Sequence, residues 1–321
     1  MSKQNKIWLI IGASLLFLGL IMFSLVMMVN NWNFTKLSTV EYETNTYEVS
    51  NRFNGISIKT KTADIVFESS DDGECKVVCY EEEKVKHSVS VQDETLIINV
   101  IDDRKWYDYF GITLSSPKIT VYLPDAYYDT LLIKGDTGDI EIPNNFKFES
   151  IDISSSTGSV NNEASASQFI KIKMTTGNIF IENISTGIME LSVSTGKITA
   201  KAITCGGNVK VNVSTGDAWL TDISCKALVS TGSTGDVWLK KVIASEQFNI
   251  KRSTGNIIFE KCDAYELFIK TDTGYVKGSL LSNKVFIAES DTGSVDVPKT
   301  IIGGKCEITT NTGDINVAIE E

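Results

Sequence analysis

Histidine is almost absent from this 321-residue chain: His87 is the only one. No GxSxG elbow, HExxH pair or P-loop lysine motif accompanies it. An enzyme needs a convergent set of acid, base, nucleophile or metal ligands, and the sequence offers no catalytic, cofactor-binding or metal-ligating constellation. A non-enzymatic protein is therefore expected, with His87, set among Lys84, Lys86 and several glutamates, facing solvent on a hairpin. Basic charge is also scarce. Thirty Lys plus Arg stand against 41 Asp plus Glu, a net −11, and removing Lys3 and Lys6 leaves −13 on the remainder. Such an acidic body repels a phosphate backbone, which argues against nucleic acid as a partner. The GGxGxD calcium pattern is missing too, so Asp136, Asp139, Asp217, Asp236 and Asp314 read as turn-capping residues. So is the six-residue sub-period of left-handed acyltransferase helices.

What the chain does have is apolar: 42% hydrophobic residues, enough for a sizeable core. Residues 7–29 form an unbroken uncharged run, longer than the roughly 20 residues that span a bilayer core. A cleaved signal would have a shorter apolar region and a small-x-small site, and Val29-Asn30-Asn31-Trp32 offers none. Lys3 and Lys6 precede the run and no charge follows it until Lys36. The positive-inside rule then predicts a cytoplasmic tail at 1–6, a signal-anchor helix at 7–29 and everything beyond outside the cell membrane.

A Thr-Gly dipeptide preceded by Ser, Thr, Asp or Asn recurs through the last two thirds. Its glycines are Gly138, Gly158, Gly177, Gly196, Gly216, Gly235, Gly255, Gly274, Gly293 and Gly313, spaced 19 or 20 residues apart. Thr186-Gly187 and Thr231-Gly232 are out of phase and read as incidental. Two positions past each repeat glycine every residue is apolar, from Ile140 to Ile315, and seven before it likewise, from Leu131 to Cys306. Five before it only Ser230 is polar. Spacing by two puts side chains on one face of a strand, so each repeat supplies one short strand on either side of its turn. A unit this short cannot close a core alone, but stacked units align equivalent residues into apolar ladders. The expected fold is all-β: a parallel, β-helix-like solenoid of about 11 rungs after one transmembrane helix.

The same phase recurs at Ala63, giving a first rung over 53–67. A tether is expected over 30–52, a β-hairpin insertion capping the stack over 68–130, and the repeat solenoid over 131–321. At the far end Glu320 and Glu321 read as charges that discourage addition of another strand. Cys75 and Cys79, four apart in one strand, lie too far apart to bridge. Cys205 and Cys225, each nine past a repeat glycine, stack on adjacent rungs, where a disulfide or two buried thiols are both possible. Cys262 and Cys306 read as small core residues.

The residue three past each glycine points outward. There Phe180, Trp219, Trp238 and Ile258 form an apolar stripe, the candidate interaction surface. Either it is exposed, or the aromatic loop around Trp106, Tyr107, Tyr109 and Phe110 folds over it.

The strand pair FNGISIKTKTADIVF, the stretch KITVYLP and serial turns such as Ser214-Thr215-Gly216-Asp217 and Asp136-Thr137-Gly138-Asp139 resemble a bacterial family of unknown function labelled "putative adhesin". The resemblance covers about residues 50–319. It implies an envelope protein, in some members associated with envelope-stress or regulatory systems, and brings no catalytic residues. Three functions follow: an adhesion-like interaction scaffold contacting an envelope protein or glycan, an accessory sensor subunit of a stress system, and, remotely, a carbohydrate-active enzyme.

Overall fold

The computed structural model of the chain describes residues 3–33, 40–110 and 115–320. Lys3–Val29 is one uninterrupted α-helix. Within it Gln4–Val29 has a mean hydropathy of 2.6 and is exposed along nearly its whole length, Met27 excepted, so it is long and apolar enough to cross a membrane.

The remainder is a parallel β-solenoid of about ten turns. Register follows the glycines: Ala218 pairs with Val237, Trp219 with Trp238 and Leu220 with Leu239, each two to four residues past its corner. In the coil cornered by Gly216 the buried side chains are Ala218, Leu220, Ile223, Cys225, Leu228 and the polar Ser230. The odd step from Leu220 to Ile223 changes strand parity, and the cause is a second corner. Asn183, Ala202, Asp222, Lys241 and Lys261, each six past a repeat glycine, adopt left-handed backbone with φ between 51° and 57°. Each of these five coils thus has an inward-facing segment beyond this corner that the Thr-Gly phase does not reveal. Coils of 20 residues place the extra one on the side opposite the glycine, where Cys225 and Ala227 face Ala244 and Gln247 across a bulge.

At the first corner the backbone requires glycine twice over. Gly216 has φ +125°, and a Cβ there would lie 1.9 Å from the Gly196 carbonyl oxygen. The residue after the glycine closes the corner against the next coil: Asp217 Oδ1 accepts from Asp236 N (2.9 Å), and Asp236 Oδ1 from Asn256 N (2.7 Å). Asp139 and Asp314 do the same toward Ser159 and Ser294. The corner aspartates are rungs of a side-chain-to-backbone ladder.

The out-of-phase glycines, read from sequence as incidental, are required by close contact. A Cβ on Gly232 would meet Val213 O at 2.0 Å and Arg252 Nη1 at 2.4 Å, and one on Gly187 would meet Gln168 O at 2.3 Å.

The Ala63 coil is present: Gly55–Lys59 and Asp64–Ser69 pair in parallel with Tyr127–Thr137 and Ile140–Ile142. The insertion adds one more parallel layer beneath it, Thr95–Asp102 on Gly55–Lys59 and Lys118–Leu123 on Asp64–Ser69. It then reverses: Val85–Gln92 and Cys75–Glu82 pair antiparallel on that layer and close the end. Tyr42–Val49 joins this cap, antiparallel to Cys75–Glu82, so part of the stretch expected as tether is a cap strand. Its alternating sequence lays one row of side chains, Tyr47 and Val49 among them, against the core.

The far end also departs from expectation. The last strands, Gly304–Thr312 and Ile315–Ile319, lie between the Gly274 and Gly293 coils: Cys306 pairs with both Leu267 and Phe286, and Ile315 with both Val276 and Val295. Glu320 therefore sits inside the stack rather than at its rim, accepting from Ser279 Oγ at 2.6 Å and donating its backbone N–H to Leu280 O. The outermost strand is Lys284–Thr292, with Ile287 53% exposed.

Candidate functional site

Every coil contributes one outward residue three past its glycine, and parallel register sets these in a single file. Asn161, Phe180, Thr199, Trp219, Trp238, Ile258 and Lys277 are successive partners across adjacent strands. The four apolar residues expected to form a stripe are thus brought together, with Thr199 interposed. Phe180 is 41% and Trp219 39% exposed, while Trp238 and Ile258 are half-buried. The insertion does not cover them among the described residues, because it builds on the Ala63 coil, five coils before Trp219. Trp106, Tyr107 and Tyr109 are themselves exposed there, and the side chain of Phe110 lies outside the described residues.

The indoles of Trp219 and Trp238 stack with centroids 5.2 Å apart and planes 22° from parallel. The opposite face of Trp219 carries the Lys197 ammonium, 4.1 Å from the ring centroid. Both faces of Trp219 are therefore occupied, and solvent meets the ring edges. Beyond Phe180 the file opens into a hollow of about 630 Å³ bordered by Glu141, Glu163 and Asn161. Thr199 Oγ1, between Phe180 and Trp219, is buried without a hydrogen-bond partner among the described residues.

His87 is not the solvent-facing residue its sequence surroundings imply. It is 3% exposed, because alternation along Val85–Gln92 turns it into the cap interior. Its Nδ1 lies 2.7 Å from Glu81 Oε2 and its Nε2 lies 3.0 Å from Thr60 Oγ1. Glu81, with no exposed surface, also accepts from His87 N (2.7 Å) and Asn45 Nδ2 (2.9 Å). Cys79 Sγ lies within 4.8 Å of both groups, a spacing that would suit a metal. Both imidazole nitrogens and both Glu81 oxygens are already engaged, however, so the group is a satisfied hydrogen-bond network pinning cap to first coil. Carboxylate, imidazole and hydroxyl stand in the order of a nucleophile triad, yet Thr60 is only 4% exposed, which closes its hydroxyl to a substrate. Only the pairing of strands brings these residues together, so their spacing in sequence carries no signal.

All six cysteines are free and buried. Cys205 and Cys225 are unbridged on adjacent coils, with Cys205 Sγ directed at Gly187 O (3.4 Å). Burial pushes the Cys225 thiol up to about 12, which leaves it protonated and unreactive at neutral pH.

No curated protein matches the chain. Among solved structures it is similar to a "putative lipid binding protein" from Parabacteroides distasonis (16% identity, 87% of this chain and 98% of that one, TM-score 0.44). It is also similar to a "putative adhesin" from the same organism (12% identity, 87% and 98%, TM-score 0.42). Another, from Bacteroides fragilis, is 13% identical over 87% of this chain and 97% of that one, with a TM-score of 0.36. Likeness at this level says nothing about a ligand. The family described as Toastrack DUF4097 matches residues 53–217 and again 197–321, the overlap falling within the repeats. The matched segments begin at the first coil and run through every later one, and the chain belongs to the Toastrack DUF4097 family.

Proposed function

We propose that this protein is a non-enzymatic, membrane-anchored envelope protein that engages a protein partner through the file Phe180, Trp219, Trp238 and Ile258. The apolar helix holds it in the cell membrane with Lys3 and Lys6 on the cytoplasmic side and the solenoid outside. The observation that carries the reading is the Trp219–Trp238 stack, with Trp219 exposed and Trp238 half-buried. A sugar ring stacks on a free aromatic face, and Trp219 has none. Indole edges flanked by Phe180 and Ile258 suit burial under apolar side chains, and tryptophans are frequent anchors of protein interfaces.

The test uses the Trp219→Ala/Trp238→Ala double variant and co-sedimentation with envelope fractions. Circular dichroism is expected to be unchanged, and binding to fall at least ten-fold. Protease treatment of the fraction is expected to abolish wild-type binding. Binding that survives protease but not glycan hydrolysis would replace the protein partner by a glycan. Undiminished binding by the double variant, or its unfolding, would remove the aromatic file as the contact.

A further inference from the structure

Several outward lysines on the solenoid are neutralised across coils. A carboxylate on the neighbouring coil meets each of Lys171 (Asp152, 3.9 Å), Lys201 (Glu182, 3.5 Å), Lys210 (Glu190, 2.9 Å) and Lys240 (Glu260, 3.1 Å). Stacking places equivalent residues about 4.8 Å apart, so alternating sign is what a stable column needs. Like charges are set directly opposite at Lys251 and Lys270, where Asp272 pairs with Lys270 (3.7 Å), and in one column at the capped end. Lys59 is the direct partner of Lys134, and Ser154 is the partner of both Lys134 and Lys173. These lysines form no ion pair among the described residues, and like charges directly opposed are destabilising.

The column borders an open hollow of about 580 Å³ between the cap layer and the first coils. Ser154 and Ser156, both exposed, line it together with Ser155, which is 7% exposed, and Gly135 lies in its wall. That glycine is not demanded by its backbone, which is outside the left-handed region. A Cβ there would make only ordinary contacts, 3.6 Å to Ser155 Oγ and 3.8 Å to Thr60 Cγ2. Its missing side chain leaves room. Two carboxylates reach the hollow. Asp102 is neutralised by Arg104 Nη2 (2.8 Å) and Lys61 Nζ (2.7 Å), which hold it well below the usual carboxylate range. Asp136 is exposed on the corner. Four lysines therefore face two carboxylates, in a chain whose net charge is −11.

We propose that this hollow is an anion site that takes a phosphate-bearing ligand. Lys59, Lys134 and Lys173 supply the charge and the serine hydroxyls the neutral donors. Lysine binds phosphate as a point charge, and hydroxyls add short hydrogen bonds to its oxygens. The hollow's volume suits a small phosphate ester or polyphosphate. The phosphate has two possible sources: a lipid headgroup or a soluble anion. The 13 residues from Val29 to Tyr42 span at most about 45 Å, which keeps the capped end within reach of a bilayer surface. The hollow lies apart from the aromatic file and does not depend on it.

The experiment uses the full chain in neutral-detergent micelles and two probes. Inorganic tripolyphosphate is followed by titration calorimetry, and dioctanoyl phosphatidylglycerol, against dioctanoyl phosphatidylcholine, by thermal shift. The wild type is expected to bind at least one anionic probe saturably, more weakly as salt rises. Lys134→Gln/Lys173→Gln is expected to weaken binding at least ten-fold while raising the melting midpoint of the ligand-free protein. Gly135→Val fills the hollow without changing charge and is expected to weaken binding comparably. Lys210→Gln, which removes an already paired lysine, is expected to leave binding unchanged. Response to phosphatidylglycerol alone assigns the lipid headgroup, and response to tripolyphosphate assigns a soluble anion. No saturable binding of either probe by the wild type, or wild-type affinity in both the double-lysine and Gly135 variants, would overturn the proposal.

Discussion

Cysteine shows how much a residue's chemistry here depends on its place in the stack. Burial raises the thiols of Cys75, Cys79, Cys225 and Cys306 from 9.0 to about 12. Between those two values the folded chain holds protons that the unfolded chain releases. Stability contributed by these thiols is therefore complete below about pH 9 and lost as pH rises toward 12, by up to ~1.4 kcal/mol per pH unit for each thiol. Urea midpoints are expected to fall steeply between pH 9 and 11, and less steeply in Cys306→Ala. A flat profile would show that the thiols are not buried as described. Sequence marked Cys262 and Cys306 as core residues through their phase, and both are fully buried. It misplaced His87, because polar neighbours along a strand say nothing about which face is covered.

At the scale of the coil, the two corners differ in legibility. The first repeats glycine because φ and the neighbouring carbonyl both exclude a Cβ, so it stands out in the sequence. The second is occupied by Asn183, Ala202, Asp222, Lys241 and Lys261, residues with nothing in common but position. Left-handed backbone costs a non-glycine residue about 1 kcal/mol, and the packed coils on either side impose it. Relief is expected from glycine: Lys241→Gly and Ala202→Gly should each stabilise the protein by about 0.5–1 kcal/mol, measured by chemical denaturation. Destabilisation by both would mean that these corners relax in solution to another conformation.

For the molecule as a whole, the two ends are treated differently. The end that follows the apolar helix in sequence is closed by antiparallel strands, while the far end leaves Lys284–Thr292 unpaired on its outer side among the described residues, with Val285, Ile287 and Val295 exposed. Glu289, Asp291 and Asp296 lie on that outermost coil, a usual defence of an open edge. Ile287→Lys should strengthen it: aggregation on heating, followed by light scattering, is expected to decrease with the melting midpoint unchanged. An unaltered aggregation rate would show that another surface starts it.

The sequence by itself determined the apolar helix, the coil length, the glycine corner, the inward ladders and the single file of outward aromatics. Each follows from local periodicity repeated at fixed spacing, and parallel stacking converts equal phase into contact. Tertiary structure alone decided what depends on order in space rather than order in sequence. It placed the last coil inside the next-to-last, drew Tyr42–Val49 into the cap, buried His87 against Glu81 and Thr60, and set Lys59 beside Lys134. Lys59 and Lys134 are 75 positions apart, and only the insertion's looping out as a cap brings them onto neighbouring coils. Strand pairing ignores the length of chain between its partners, so such neighbours leave no periodic trace.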